Sequence, residues 1–275
     1  MAEITAAMVK EFRNKTGLPM MECKKALVEA DGDQEKAIEI IRKAGKKTME
    51  KRADRDTEAG RIAIYQSANG VTAMVEVLCE SAPVTKNDEF IAMVEGMAKQ
   101  LAEGPGAADP AALMAQNFPG KDATIQTVFD DMVNKIREVF RFTRLLRVEG
   151  NVGTYVHHDN AIGVVLEVEG DNKELADNIC MHIASMNPKA LCKEELSPEL
   201  IAKEREIAME QTKASNAGKP QNILEKIVEG RVNATLAEIC LADQPFVLDS
   251  AKKVSQAAKD GGLTLKKMNH WRLGK

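Results

Sequence analysis

"GRIAIYQSANGVTAMVEV" (Gly60–Val77) and "GNVGTYVHHDNAIGVVLEV" (Gly150–Val168) carry one pattern twice. Each opens on Gly and runs through a short apolar stretch to a Tyr, at 65 and 155. Each then turns at polar residues that include an Asn (69 and 160) and returns as a second apolar stretch ending Glu-Val. Two such runs joined by a short polar turn predict a β-hairpin. An Ala- and Met-rich helical stretch follows each copy, "NDEFIAMVEGMAKQLAE" and "NKELADNICMHIASMNP". A hairpin alone is marginal, so each copy must lay a sheet face on its helix or on a neighbour. The duplication predicts an α+β protein whose body is two related hairpin-plus-helix subdomains.

Upstream, residues 1–45 predict a three-helix bundle. Thr5 caps a first helix carrying Met8, Val9 and Phe12, and "TGLP" breaks it. Pro19 suits the first turn of a second helix, whose apolar positions are Met20, Cys23, Leu27 and Val28, or Met21 and Ala26 on the flank. Asp33 caps a third, which carries Ala37, Ile38 and Ile41 and closes at Gly45. Residues 46–59 are mostly charged and read as a solvated helical linker that lets the bundle move.

The first core subdomain spans 60–149. Beyond its hairpin and helix lie a Gly/Pro/Ala loop and one long helix, "TIQTVFDDMVNKIREVFRFTRLLR", which would put Arg137, Arg141 and Arg144 on one face. The second core subdomain spans 150–196. Residues 197–240 predict an antiparallel helical hairpin, capped by Ser197 and turned by "AGKP", with its tip projecting from the body. Residues 241–275 form a C-terminal module of helix, Gly-Gly turn and short strand.

Composition narrows the function classes. Of 275 residues, 44% are hydrophobic and 29% charged, as in an ordinary globular protein. With seven Phe, two Tyr and one Trp against 14 Met, the cores must rest on aliphatic side chains and Met. A net charge of −4 gives no bulk attraction to nucleic acid. The N-terminus lacks the pattern of a signal peptide, and no apolar run is long enough to span a membrane. Five widely spaced Cys without CxxC read as reduced thiols in a cytoplasmic protein.

No catalytic constellation emerges. "AGKKT" (Ala44–Thr48) looks like half a phosphate-binding loop, but Ile40 stands where the first Gly belongs, and a helix precedes it. Cys180 and His182 are two apart, which on a helix faces them differently, and no second ligand pair has zinc spacing. Cys79 beside Glu80 would have a raised thiol pKa, and no GxSxG elbow appears. The Arg137/Arg141/Arg144 face lacks the interleaved aromatics of a single-strand binder. Met20 and Met21 cannot both point inward, since successive helical residues lie about 100° apart; one is expected at a surface where a soft side chain suits a partner. A mobile head, a duplicated body and a projecting hairpin describe a protein that grips another protein at several points.

"TGLPMMECKKALVEADGDQEKAIEIIRKAG" closely resembles the head of bacterial translation elongation factor Ts, whose pattern runs TG-x-x-MM-[DE]-CKKAL-x-E-x-x-GD. "VEVLCESAPVTKNDEF" resembles that family's next block and "EGRVNATLAEICLADQPFV" its C-terminal one. The similarity runs in order from about residue 4 almost to the C-terminus. It implies a ubiquitin-associated-like head, two core subdomains and a coiled-coil insertion. It also implies guanine-nucleotide exchange: binding of elongation factor Tu, GDP-bound and nucleotide-free, and faster GDP release, with no bond chemistry, cofactor or direct nucleotide binding by the factor itself. A homodimer is left open.

The resemblance also assigns partner contacts. Met20, Met21 and Lys24 belong to the head. Ser81, Ala82 and Pro83 stand where the family has Thr-Asp-Phe, whose Phe wedges into the GTPase. Ile136 and Arg137 stand where Ile-Gly is usual, so Arg137 adds bulk and charge at a close contact. His157 falls in the Tyr-x-His turn of the second copy, and Trp271 is expected to pack. Two other readings compete: a ubiquitin-associated-like adaptor without exchange activity, and a ribosomal factor that holds RNA through the 137–144 arginines.

Overall fold

A computed structural model describes residues 3–52, 54–215 and 220–275. The chain is a mixed α+β protein that divides into two compact units. One contains residues 1–149, 158–161 and 272–275; the other contains 150–157 and 162–271.

The first unit opens with helices α1 (Ala6–Thr16), α2 (Met20–Glu29) and α3 (Gln34–Glu50). The Thr5 hydroxyl accepts the Met8 amide, and Gly17 closes α1 at φ 71°, a left-handed cap that needs no Cβ. Val9, Phe12, Leu18, Cys23, Ala26, Leu27 and Ala37 pack a small core. α3 departs from the expected stop at Gly45 and continues to Glu50. Gly45 is a crossing point instead: a Cβ there would overlap the Asn134 side chain. Nor does the bundle stand apart from its body. Arg42 donates to both carboxylate oxygens of Asp131, at 2.7 and 2.8 Å, beside that crossing.

Strands β1 (Ala59–Gln66) and β2 (Val71–Cys79) pair antiparallel from Ala59↔Cys79 to Gln66↔Thr72. After the 3-10 turn Ala82–Lys86 come α4 (Asp88–Glu103), α5 (Pro110–Met114) and α6 (Ile125–Ile136). Ala73, Val75, Val77 and Cys79 of β2 share one core with Phe90, Met93, Val94, Met97 and Leu101 of α4. The alternation of the sheet thus meets the i, i+3, i+4 stripe of the helix.

The long helix expected over 124–147 is overturned. α6 ends at Ile136, Arg137 caps it in the left-handed region, and Phe140–Glu149 form strand β3 along the free edge of β2. The reason lies in β2: in a strand this buried, the amides and carbonyls of the second edge are shut off from water and need a pairing strand. "FRFTRLLR" satisfies that need: Phe140 and Phe142 face the core, and an extra residue at Thr143 bulges opposite Glu76/Val77. The bulge aims Thr143 Oγ1 (2.6 Å) and Arg144 (2.7 Å) at the buried Glu76 carboxylate.

In the second unit β4 (Val152–Val156), β5 (Ile162–Glu169) and β8 (Thr264–Arg272) form a three-stranded sheet, order β4-β5-β8. α7 (Lys173–Met186) packs Ala176, Ile179, Cys180 and Ile183 against Val164, Leu166 and Val168. Gly153 lets β4 touch α7, because a Cβ there would strike the Ala176 carbonyl. α8 (Pro198–Ser215) starts at the Ser197 hydroxyl, which accepts the Leu200 amide at 3.2 Å. It packs on α9 (Gln221–Ile239) through Ala208, Val228, Val232 and Leu236. Most of the "AGKP" turn lies outside the described residues. A small hairpin, β6 (Pro245–Phe246) and β7 (Asp249–Lys253), escaped the sequence reading; α10 (Val254–Asp260) follows it. No helix among the described residues is long and apolar enough to cross a membrane.

Candidate functional site

The exposed face of α2 is built by what the bundle does not need. Cys23, Ala26 and Leu27 turn inward, and Leu18, just before the helix, is buried with them. That leaves Met20 48%, Met21 74% and Val28 50% exposed, with Lys24 between them. At about 100° per residue the four fall within roughly one quadrant. One of Met20 and Met21 was expected at the surface; both are there, and so is Val28, which was counted among the apolar positions.

Arg137 links this helix to the body. Its backbone stands at φ 66°, its N–H closes α6 on the Val133 carbonyl at 2.7 Å, and its guanidinium pairs with Glu22 of α2. Arg52 donates to its carbonyl at 2.9 Å. Ile136, one residue earlier, packs on the core of the first unit.

Glu138 continues the chain toward the 81–83 loop. Its Oε2 accepts the Ser81 amide at 2.9 Å and its Oε1 the Ser81 hydroxyl at 2.5 Å. Glu80 reaches the other way, accepting the Val139 amide at 2.7 Å and Arg55 at 2.9 Å. Burial pushes the Glu80 carboxyl up, but the Val139 amide and Arg55 outweigh it and hold its pKa below the usual value. Val84 is buried under the loop, whereas Ala82 and Pro83 are exposed.

Three expected contact stretches are therefore joined by polar bonds: α2 to Arg137 through Glu22, and Ser81 to the 136–138 turn through Glu138. His157 belongs to the second unit, where Nδ1 lies 3.1 Å from the Tyr155 hydroxyl and its amide donates to the Ile162 carbonyl. Trp271 is half-buried near the end of β8. Glu22, Glu80 and Glu138 were missed in the sequence. Read as part of a long helix, Glu138 had no reason to face Ser81.

The arginine face does not exist as a face. Arg137 pairs with Glu22, Arg141 donates to the Arg55 carbonyl at 3.0 Å, and Arg144 neutralises Glu76. The Ala44–Thr48 stretch is helical throughout, so its amides are not arranged to cradle a phosphate. Burial, helped by the nearby Glu138 carboxylate, pushes the Cys79 thiol up to about 12, the opposite of an activated nucleophile.

A family model described as elongation factor TS matches residues 83–275. Among curated relatives, "Elongation factor Ts" of Thioalkalivibrio sulfidiphilus (strain HL-EbGR7) is 41% identical over 98% of this chain and 92% of its own. "Elongation factor Ts" of Azoarcus sp. (strain BH72) is 45% identical over 96% and 89%. The protein of the same name from Hahella chejuensis (strain KCTC 2396) is 42% identical over 100% and 93%.

Proposed function

Because the chain belongs to the elongation factor Ts family, whose place is in translation elongation, we propose that it is a guanine-nucleotide exchange factor for elongation factor Tu in the cytoplasm. It binds the GDP-bound and the nucleotide-free GTPase and prefers the latter. By reciprocity, a factor that binds the empty GTPase more tightly weakens nucleotide binding by the same ratio. Each tenfold of that ratio corresponds to ~1.4 kcal/mol.

The observation that carries this reading is the joined surface of α2, the 81–83 loop and the 136–138 turn. An exposed Met-Met-Lys-Val face suits an apolar helix of a partner, since Met adapts to irregular surfaces. Within this reading residues 1–45 act as a ubiquitin-associated-like head, 60–149 and 150–196 as duplicated core subdomains, 197–240 as a coiled-coil insertion and 241–275 as a C-terminal module. His157 supplies a contact from the second unit.

The loop departs from the Thr-Asp-Phe of the resemblance. Burying a Phe contributes about 1.5–3 kcal/mol, so its absence removes roughly ten- to a hundredfold from any effect that depends on that contact alone. Pro83 keeps a rigid apolar tip, and we assign it a shallower hollow on a partner altered at the same place.

Stopped-flow release of a fluorescent GDP analogue from the cognate elongation factor Tu tests the reading. Strong acceleration is expected. Tight binding without acceleration would overturn exchange and favour an adaptor, an outcome to which the small Ala82-Pro83 tip lends some substance.

A further inference from the structure

We propose that Glu138 is a positioning residue for nucleotide release, holding the aim of the Ser81-Ala82-Pro83 tip and tying that aim to the head. The inference rests on the exchange reading above. A serine that opens a helical turn ordinarily caps it with its own hydroxyl. Ser81 makes no such cap: its hydroxyl and its amide both turn to Glu138, at 2.5 and 2.9 Å, and occupy both carboxylate oxygens. Glu80 answers by accepting the Val139 amide at 2.7 Å, so the segments 80–81 and 138–139 each supply a carboxylate to the backbone of the other. Bonds to an ionised acceptor are roughly twice as strong as neutral ones.

Past this clamp the next anchor is Val84, buried in the core of the first unit. Only Ala82 and Pro83 stand exposed between the anchors, and the proline ring fixes its own φ. A tip of two residues between fixed ends cannot swing aside. Glu138 also follows Arg137 directly, and Arg137 holds α6 through Val133 and α2 through Glu22. Load on Ala82 and Pro83 is thereby carried to α6 and the head. A ligand shifts an equilibrium only through its differential interaction with the two states. With the clamp cut, the head still grips, but the tip yields in both states and contributes no difference.

The test is GDP-analogue release from elongation factor Tu across a range of concentrations of the full-length factor. Glu138→Ala is expected to lower the saturating release rate about tenfold while the half-saturating concentration moves by less than about threefold. Glu138→Gln keeps the shape and an acceptor for the Ser81 amide, and should restore most of the rate. Met21→Ala should do the reverse, raising the half-saturating concentration with the saturating rate kept. A Glu138→Ala rate within about twofold of the unmodified protein would overturn the proposal. So would a rate and half-saturation that shift together with the thermal midpoint, which marks general loosening. Should Glu138→Ala not fold, Ser81→Ala removes the hydroxyl half of the clamp and must show the same split in smaller measure; no split overturns the proposal. An unmodified protein that does not speed release overturns the exchange reading first and the positioning role with it. An active protein with an indifferent variant overturns only the positioning role.

Discussion

His182 Nδ1 accepts the Val247 amide at 3.2 Å, which leaves its Nε2 to donate to Gln244 Oε1 at 2.9 Å. Both ring nitrogens are used by a neutral imidazole that binds α7 to the β6–β7 hairpin, and a second proton on Nδ1 would break the Val247 bond.

A pH dependence follows. Burial lowers the His182 pKa below its ordinary value, against a smaller upward pull from Gln244. The unfolded imidazole therefore binds its proton at a higher pH than the folded one. The stability from this site is complete above about pH 6.5 and is lost as pH falls through the lower, folded value. Denaturant midpoints should drop as pH falls below about 6.5, and His182→Gln should flatten that drop. An unchanged slope in the variant would remove His182 as its cause.

Arg144 and Glu76 form an ion pair in which Glu76 is 2% exposed. Removing one partner of a buried pair strands the other, at a cost of about 3–5 kcal/mol. Since Thr143 also donates to Glu76, Arg144→Ala is expected near the lower end, about 3 kcal/mol in urea unfolding. A loss under about 1 kcal/mol, the range of surface pairs, would mean that water reaches Glu76.

Arg137 occupies the left-handed cap that glycine favours. Arg137→Gly relieves a backbone cost of about 1–2 kcal/mol. It gives up a half-exposed ion pair with Glu22 worth at most about 1 kcal/mol, and it loosens the unfolded chain by about 0.5–1 kcal/mol. The expected change in stability is close to zero. A thermal midpoint lower by more than a few degrees would show that Glu22 depends on Arg137 more than its exposure suggests.

For the 81–83 tip, replacing Ala82-Pro83 by Asp-Phe should not speed GDP release from the cognate partner if tip and partner are matched. A gain of ten- to a hundredfold would instead mean that the tip is simply a weakened wedge.

Much of the fold was legible because its patterns are local. The repeated pair of apolar runs around a polar turn gave both hairpins, and Thr5, Gly17 and Ser197 announced helix ends by their chemistry. The α6–β3 boundary was not legible. Arg137 carries no turn signal of its own, and "FRFTRLLR" serves a helix stripe as well as a bulged strand; only the need of β2 for a second neighbour decides. Gly45 misled for a related reason. It looks like a helix cap, but what it supplies is room for Asn134. The contact stretches could be named from the resemblance, whereas the carboxylates that join them could not, since Glu22 and Glu138 find their partners only in the folded chain.

The pairing of Glu76 with Arg144 spans 68 residues, and that separation orders events during synthesis. At roughly 5–20 residues per second, β2 waits several seconds on the ribosome before its second neighbour exists. For that interval "VTAMVEVLC" is an apolar strand with an open edge, the kind of segment that recruits other chains. Its single charge is Glu76. The carboxylate that later needs Arg144 to be tolerated in the sheet is, until Arg144 arrives, the gatekeeper that keeps the nascent strand from sticking.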